Sequence, residues 1–251
     1  MLSRVQDFEQ IYILDRPPED KIRTSAKALA ELKGMNEKSI NQNPIPWEQK
    51  NKNFIKIASL NCMNLNNNYE DIVRDKTLME SSIIALSETW LDQNTTMNIN
   101  GYRAHLNSIA PGKGLALYLK DDTFQPTVDI KEDKMQITKL ESKDLEVITL
   151  YRSEQGSTLE MIQHLTSMIK PEVATVICGD FNICYKTNRG NRITKYLENN
   201  GFLQMMKEPT HIRGRHIDHF YFKPRGPISE LPTLYRYSPY SSDHDAICAT
   251  I

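Results

Sequence analysis

From Phe54 onward, short apolar runs alternate with helix-like stretches, and the runs end at or near residues equipped for polar chemistry. Residues 54–60 deliver Asn61, 83–86 lead to Glu88, and 173–178 lead into Gly179-Asp180-Phe181-Asn182. Residues 145–151 end on Tyr151 and Arg152, 216–222 contain Asp218, and 246–251 follow Ser242-Asp243-His244. Runs of this length, bounded by turn formers, read as strands, as do 114–119 and 135–140. Residues 69–80, 157–170 and 192–200 carry helical spacing, with Ser157 placed as a cap and Gly201 as a stop. Strands outnumber helices, and hairpin-like neighbours mix with helical crossovers. The pattern predicts an α/β sandwich, two packed sheets flanked by helices, over a purely parallel sheet.

The first fifty or so residues break this rhythm. Residues 1–14 are a short mixed stretch, Arg16-Pro17-Pro18 interrupts the chain, and 21–35 reads as a modest amphipathic helix. Residues 36–53 are polar, contain Pro44 and Pro46, and read as a linker. The expected organisation is an appendage at 1–35, a linker at 36–53 and one domain at 54–251.

Composition excludes several classes. A hydrophobic fraction of 39% and a charged fraction of 25% suit a globular protein with a sizeable core. Neither a signal-type apolar stretch nor a membrane-length segment is present, so an intracellular setting without a membrane is expected. Cys62, Cys178, Cys184 and Cys248 have no paired zinc spacing, and packing is their expected role. The net charge of −1 advertises no polyanion partner globally. Locally, basic residues outnumber acids between Asp180 and Arg236, among them Arg189, Arg213 and Arg215. This bias is either a solvated face or a rim that grips a phosphate backbone around an acidic centre.

The strand-end residues suit phosphoester hydrolysis, which needs a cation, a positioned water and donors for charge on phosphorus. A hard cation such as Mg²⁺ takes oxygen ligands, and Glu88 and Asn61 offer them. Asp180 is placed to orient or deprotonate a water, and Asn182 to hold it or a phosphate oxygen. An Asx-turn that merely ends a strand would look the same. An aspartate such as Asp218, bonded to the imidazole of His244, would fix its tautomer and keep it cationic. Asp243 can meet a second cation or tether its loop. Tyr151 and Arg152 offer a phenol and a guanidinium to phosphate oxygens.

Taken together, Ser59-Leu60-Asn61, Ser87-Glu88-Thr89, Tyr151-Arg152, Gly179-Asp180-Phe181-Asn182, Ile217-Asp218 and Ser242-Asp243-His244 resemble the endonuclease/exonuclease/phosphatase superfamily. The resemblance implies a four-layered sandwich of two mixed sheets and Mg²⁺-dependent hydrolysis, with Mn²⁺ as a substitute. It implies Glu88 as main metal ligand with Asn61 beside it, Asp243 completing the site, Asp180 aligning water with support from Asn182, and His244, oriented by Asp218, facing the phosphorus charge.

Tyr151-Arg152 and Pro209-Thr210-His211 look most like endonucleases of mobile elements, which implies DNA as the partner. A Trp-Cys-Asp-Arg run of the phosphoinositide phosphatase type is absent. The first segment, Leu2-Ser3-Arg4-Val5-Gln6 followed by Ile11-Tyr12-Ile13-Leu14, resembles the C-terminal end of Helitron-type DNA helicases. Without a phosphate loop it implies a remnant or a piece of a longer helicase–nuclease polypeptide, and a nuclear setting. Two alternatives stand beside DNA nicking: a phosphatase of small phosphoesters or lipid headgroups on the same fold, and a silent nucleic-acid-binding domain.

Overall fold

The computed structural model describes residues 54–92, 94–108, 112–226, 231–239 and 241–251. The helicase-like segment, the appended helix and the linker all lie outside the described residues. Strands β1 (Lys56–Asn61), β2 (Ile83–Ser87), β3 (Arg103–Asn107) and β4 (Leu115–Leu119) come first. The chain then crosses to a second sheet and lays down β5 (Gln125–Glu132), β6 (Met135–Glu141), β7 (Leu145–Arg152), β8 (Ala174–Asp180), β9 (Leu203–Gln204) and β10 (Asp218–Lys223). It returns with β11 (Thr233–Tyr237) and β12 (Ala246–Thr250). The two sheets have the orders β11-β12-β1-β2-β4-β3 and β5-β6-β7-β8-β10-β9.

Each sheet holds one parallel pair, β1 with β2 and β7 with β8, among antiparallel neighbours. A parallel pair needs a crossover. Helices α1 (Leu65–Arg74) and α2 (Lys76–Met79) supply the first, and α3 (Thr158–Met168) the second. The fourth helix, α4 (Asn188–Asn199), follows β8. Both parallel pairs point their carboxyl ends at the residues singled out above, and loops gather at such ends in α/β sheets.

Period-two alternation sorts each strand between two cores. Ile57, Ile83, Ala85, Leu117, Ile247 and Ala249 of the first sheet meet Val147, Val176, Cys178, Phe220 and Phe222 of the second. On the far side of the second sheet, Ile148, Leu150, Ile177 and Tyr221 pack against Met161 and Leu165 of α3 and Ile193 and Leu197 of α4. On the far side of the first, Ala58, Leu60, Ile84 and Leu86 are buried, as are Leu65, Ile72 and Leu78 of α1 and α2. Each fully buried side chain of this kind contributes roughly 1.5–3 kcal/mol. The result is a four-layered sandwich of two mixed sheets flanked by helices.

The caps explain where helices begin. Ser157 accepts from Glu160 N at 3.2 Å and so starts α3, with Glu160 in the capping-box position. The helical stretch expected over 69–80 is broken at Asp75, whose extended backbone ends α1. Its carboxylate accepts from Thr77 N and Leu78 N at 2.9 and 3.1 Å, which starts α2. Helix α4 starts before the expected residue 192, because Thr187 caps it through Gly190 N. Strands β3, β5, β9 and β11, which the sequence pattern did not imply, are the four edge strands of the two sheets. β5 is largely exposed, so its residues lack the apolar alternation that marks an inner strand.

Candidate active site

Strand register builds one wall of the site. Tyr151 pairs with Asp180 across β7 and β8, and Asp180 pairs with Asp218 across β8 and β10. The three form one row at the same level of the sheet, two residues beyond Thr149, Cys178 and Phe220 in strand direction or register. Val147, Cys178 and Phe220 face the other sheet, so period two turns Tyr151, Asp180 and Asp218 the same way. Gly179 is needed for this close pairing: at φ +135°, a Cβ there would meet Leu150 O at 2.0 Å.

Asp180 is fully buried. Its Oδ1 accepts from Asn182 N at 2.8 Å, and its Oδ2 accepts from Asn61 Nδ2 at 2.9 Å and Asn182 Nδ2 at 3.3 Å. A carboxylate only accepts, so both carboxamides turn their nitrogens toward it. Asn61 Oδ1 takes Met63 N at 3.1 Å and keeps a further lone pair. Burial, then the charge of Asp218, pushes the Asp180 carboxyl well above its ordinary range, against the pull of His244, Asn182 and Asn61. Phe181 sits in the core behind, stacked on the His219 ring at 4.3 Å between centroids.

His244 Nδ1 lies 2.8 Å from Asp218 Oδ2. Since the carboxylate must accept, Nδ1 carries the proton and donates. Thr210 Oγ1 also donates to Asp218 Oδ2, at 2.6 Å. Burial opposes the imidazolium, but the hydrogen bond and charge of Asp218, with Asp180 and Asp243, raise His244 to about 9. Ser242 sets the loop: its hydroxyl donates to Asn61 O at 2.6 Å and accepts from His244 N at 3.0 Å.

Glu88, Tyr151, Asn182, Asp243 and His244 line one cleft of about 270 Å³, with Arg215 at its side. The Tyr151 phenol is held neutral by burial first, then by the charges of Glu88 and Asp180. Among the described residues, the non-glycine positions with positive φ are Met63, Asn64, Glu88, Trp90 and Asn182. All five follow the ends of β1, β2 or β8, and of these Met63, Glu88 and Asn182 line the cleft. Asparagine tolerates positive φ, whereas Met63, Glu88 and Trp90 each cost about 1–2 kcal/mol there, and such strain gathers where a loop must aim a side chain.

The oxygen donors suit a hard divalent cation. Glu88 forms no ion pair among the described residues and lines the cleft with the half-exposed Asp243, and these carboxylates, with the carboxamide oxygen of Asn61, could hold such a cation. Two other clusters bring ligand atoms within 4.8 Å: His211 with Asp243 and His244, and Asp180 with Asp218 and His244. Both are compromised. Asp218 and His244 Nδ1 are already bonded to each other, and both His211 nitrogens are engaged, Nδ1 with Arg213 N and Nε2 with Arg215 Nη2, each at 3.0 Å.

The basic residues divide. Arg152 is fully buried and donates only to backbone carbonyls, among them Phe181 O at 2.8 Å and Gly156 O at 2.6 Å. The expectation that it meets substrate is corrected: its donors are consumed inside the fold. Arg189 is exposed but donates to Thr158 Oγ1 and Gly156 O, away from the cleft wall. Arg213 is exposed, and Arg215, which lines the cleft, reaches Glu154 Oε1 at 3.2 Å. Met63, Glu154 and His211 also line the cleft, and no role was assigned to them from sequence. His211 belongs to the Pro209-Thr210-His211 stretch; its place is set by a β-bridge to His244, which sequence does not display. Cys62, Cys178 and Cys248 are buried free thiols, and burial pushes the Cys62 thiol up.

The model of the Endonuclease/Exonuclease/phosphatase family matches residues 58–244. No curated protein sequence matches the chain. An AP endonuclease from Archaeoglobus fulgidus superposes with a TM-score of 0.65 at 14% identity, over 78% of this chain and 98% of that one. The endonuclease domain of TRAS1, a telomere-specific non-LTR retrotransposon, gives 0.61 at 12% identity, over 79% and 98%. The 3′ phosphatase NExo from Neisseria, bound to product DNA hairpin, gives 0.58 at 15% identity, over 78% and 98%. At these identities the likeness is one of fold. With its family model spanning 58–244, the chain belongs to the endonuclease/exonuclease/phosphatase family.

Proposed function

We propose that the protein nicks DNA by Mg²⁺-dependent hydrolysis of phosphodiesters, through in-line attack of a water held by Asp180. The observation that carries this reading is the pairing of Asp180 with Asp218, and of Asp218 with His244, at the wall of the cleft that Glu88, Asn182 and His244 line. Glu88, with Asn61 and Asp243, would hold Mg²⁺, or Mn²⁺ in its place, which supplies charge neutralisation at the phosphoryl group.

Asp180 spends its hydrogen bonds on Asn61 and Asn182, and a carboxylate has about four acceptor sites. One remains to accept from water. Its raised proton affinity favours taking a proton as that water attacks. His244, protonated through Asp218, presents Nε2–H to the charge that grows on the phosphoryl oxygens. Neutral Tyr151, in the same row as Asp180, bonds Glu88 through its phenol and so helps to aim that carboxylate. Arg215 at the cleft, with Arg213 beyond it, meets flanking phosphates.

The Helitron-like segment at residues 2–14 and the likeness to a retrotransposon endonuclease support DNA, a mobile-element origin and a nuclear setting. Incubation with supercoiled plasmid and Mg²⁺ tests the reading. Open-circle product is expected from wild type, and no nicking above Asp180→Asn would end it. The limited volume of the cleft, about 270 Å³, favours one second reading, a phosphatase of small phosphoesters. Turnover of a soluble phosphomonoester with DNA left intact would establish it instead.

A further inference from the structure

We infer that Arg152 is a positioning residue, a buried cation that locks two loops of the cleft to each other. Its guanidinium is fully shielded from solvent, and no carboxylate pairs with it among the described residues. Its hydrogen bonds go to backbone carbonyls, with the charges of Asp180 and Glu154 acting on it without an ion pair. Nε donates to Phe181 O at 2.8 Å and Nη2 to Asn182 O at 3.2 Å, on the loop after β8. Nη1 turns to the loop after β7, with Gly156 O at 2.6 Å, Ser153 O at 2.8 Å and Glu154 O at 3.3 Å.

Both loops end in the cleft, one through Asn182 and the other through Glu154. Asn182 holds a left-handed backbone, φ 47°, a conformation asparagine tolerates, and the Arg152 bond to its carbonyl helps to hold it there. The planar fork of arginine supplies donors in fixed directions to both loops at once. A lysine ammonium in the same place has three donors and cannot span them. Gly156 leaves room for this arrangement, since a Cβ there would stand 2.7 Å from Arg152 Cγ and 3.0 Å from Lys134 O.

The kinetic arm of the test rests on the proposed hydrolysis, whereas the exchange arm does not. Arg152→Lys and Gly156→Ala are compared with wild type by amide hydrogen exchange and by Mg²⁺-dependent turnover. Exchange at residues 181–183 and at 153–156 is expected to speed up together, by tenfold or more, with α3 and α4 unchanged. On whichever phosphoester is hydrolysed, kcat is expected to fall at least tenfold while KM stays within twofold. A rise in KM at constant kcat would overturn the inference, because the guanidinium would then be touching substrate. Loosening of one loop without the other, or of neither, would also overturn it. Should Arg152→Lys fail to fold, Gly156→Ala decides alone, and wild-type exchange in both loops of a folded Gly156→Ala ends the proposal. Absence of turnover in every protein with the two loops still loosening together would defeat the hydrolysis reading and leave the positioning role standing.

Discussion

Asp218 Oδ2 accepts from His244 Nδ1 at 2.8 Å and from Thr210 Oγ1 at 2.6 Å, and all three residues are buried. The pair is therefore both a charge device and part of the fold. Removing one member leaves the other charge without a partner in a desolvated place, which costs about 3–5 kcal/mol.

This relationship sets a pH dependence. His244 is raised from 6.5 to about 9 in the folded state. The stability it contributes is fully present below about 6.5 and is lost as pH rises through about 9. Activity that needs the imidazolium falls over the same alkaline limb. In Asp218→Asn that limb is expected to move to lower pH, and the midpoint of urea unfolding to fall. Profiles of rate and unfolding against pH, from 6 to 10, measure both. An alkaline limb that stays in place in Asp218→Asn contradicts the assignment.

Asp180→Asn separates chemistry from stability. The carboxylate is buried and faces Asp218, so burial and charge repulsion both act against its ionised form. Hydrolysis is expected to fall by about 10²–10⁴, the usual contribution of a general base. The melting temperature is expected to match or exceed that of wild type, because an amide carries no charge to desolvate. A large drop in melting temperature would show that the carboxylate serves the fold.

Gly179→Ala tests the wall itself. A Cβ placed 2.0 Å from Leu150 O forces β7 and β8 apart in the row that holds Tyr151 and Asp180. Overpacking of this severity costs about 3 kcal/mol or more. Chemical denaturation of Gly179→Ala gives the figure, and a midpoint equal to wild type would mean the strands have room to separate.

Glu88→Gln addresses the cation. The substitution keeps the shape and removes the charge from the all-oxygen set. The Mg²⁺ concentration for half-maximal activity is expected to rise by about 10–100-fold, as when metal-site groups are altered elsewhere. Excess Mg²⁺ should recover part of the rate, and EDTA should abolish it in wild type. An unchanged Mg²⁺ requirement would remove Glu88 from the cation.

Much of the architecture was legible before folding was considered. The inner strands are apolar because both of their faces are covered, and that pattern is written locally at 54–60, 83–86 and 173–178. Asn61, Glu88 and Asp180 stand out for the same reason, as polar residues directly beyond buried runs. The edge strands β3, β5, β9 and β11 were not legible, since an edge is covered less and tolerates polar residues. Arg152 was misread. A guanidinium at a strand end looks alike whether it faces solvent or the protein interior, and only the carbonyls of Phe181 and Gly156 show which.

By itself, the sequence determined which residues end the buried strands and what chemistry their side chains can do, because burial and turn chemistry act over a few neighbours. Tertiary structure decided which of them meet. Tyr151, Asp180 and Asp218 share one level only through the register of β7, β8 and β10, and His244 joins them because Ser242 ties its loop to Asn61. Glu154 and His211 enter the same cleft from loops separated along the chain. Register and loop closure depend on contacts between distant segments, and those come into being only when the two sheets pack.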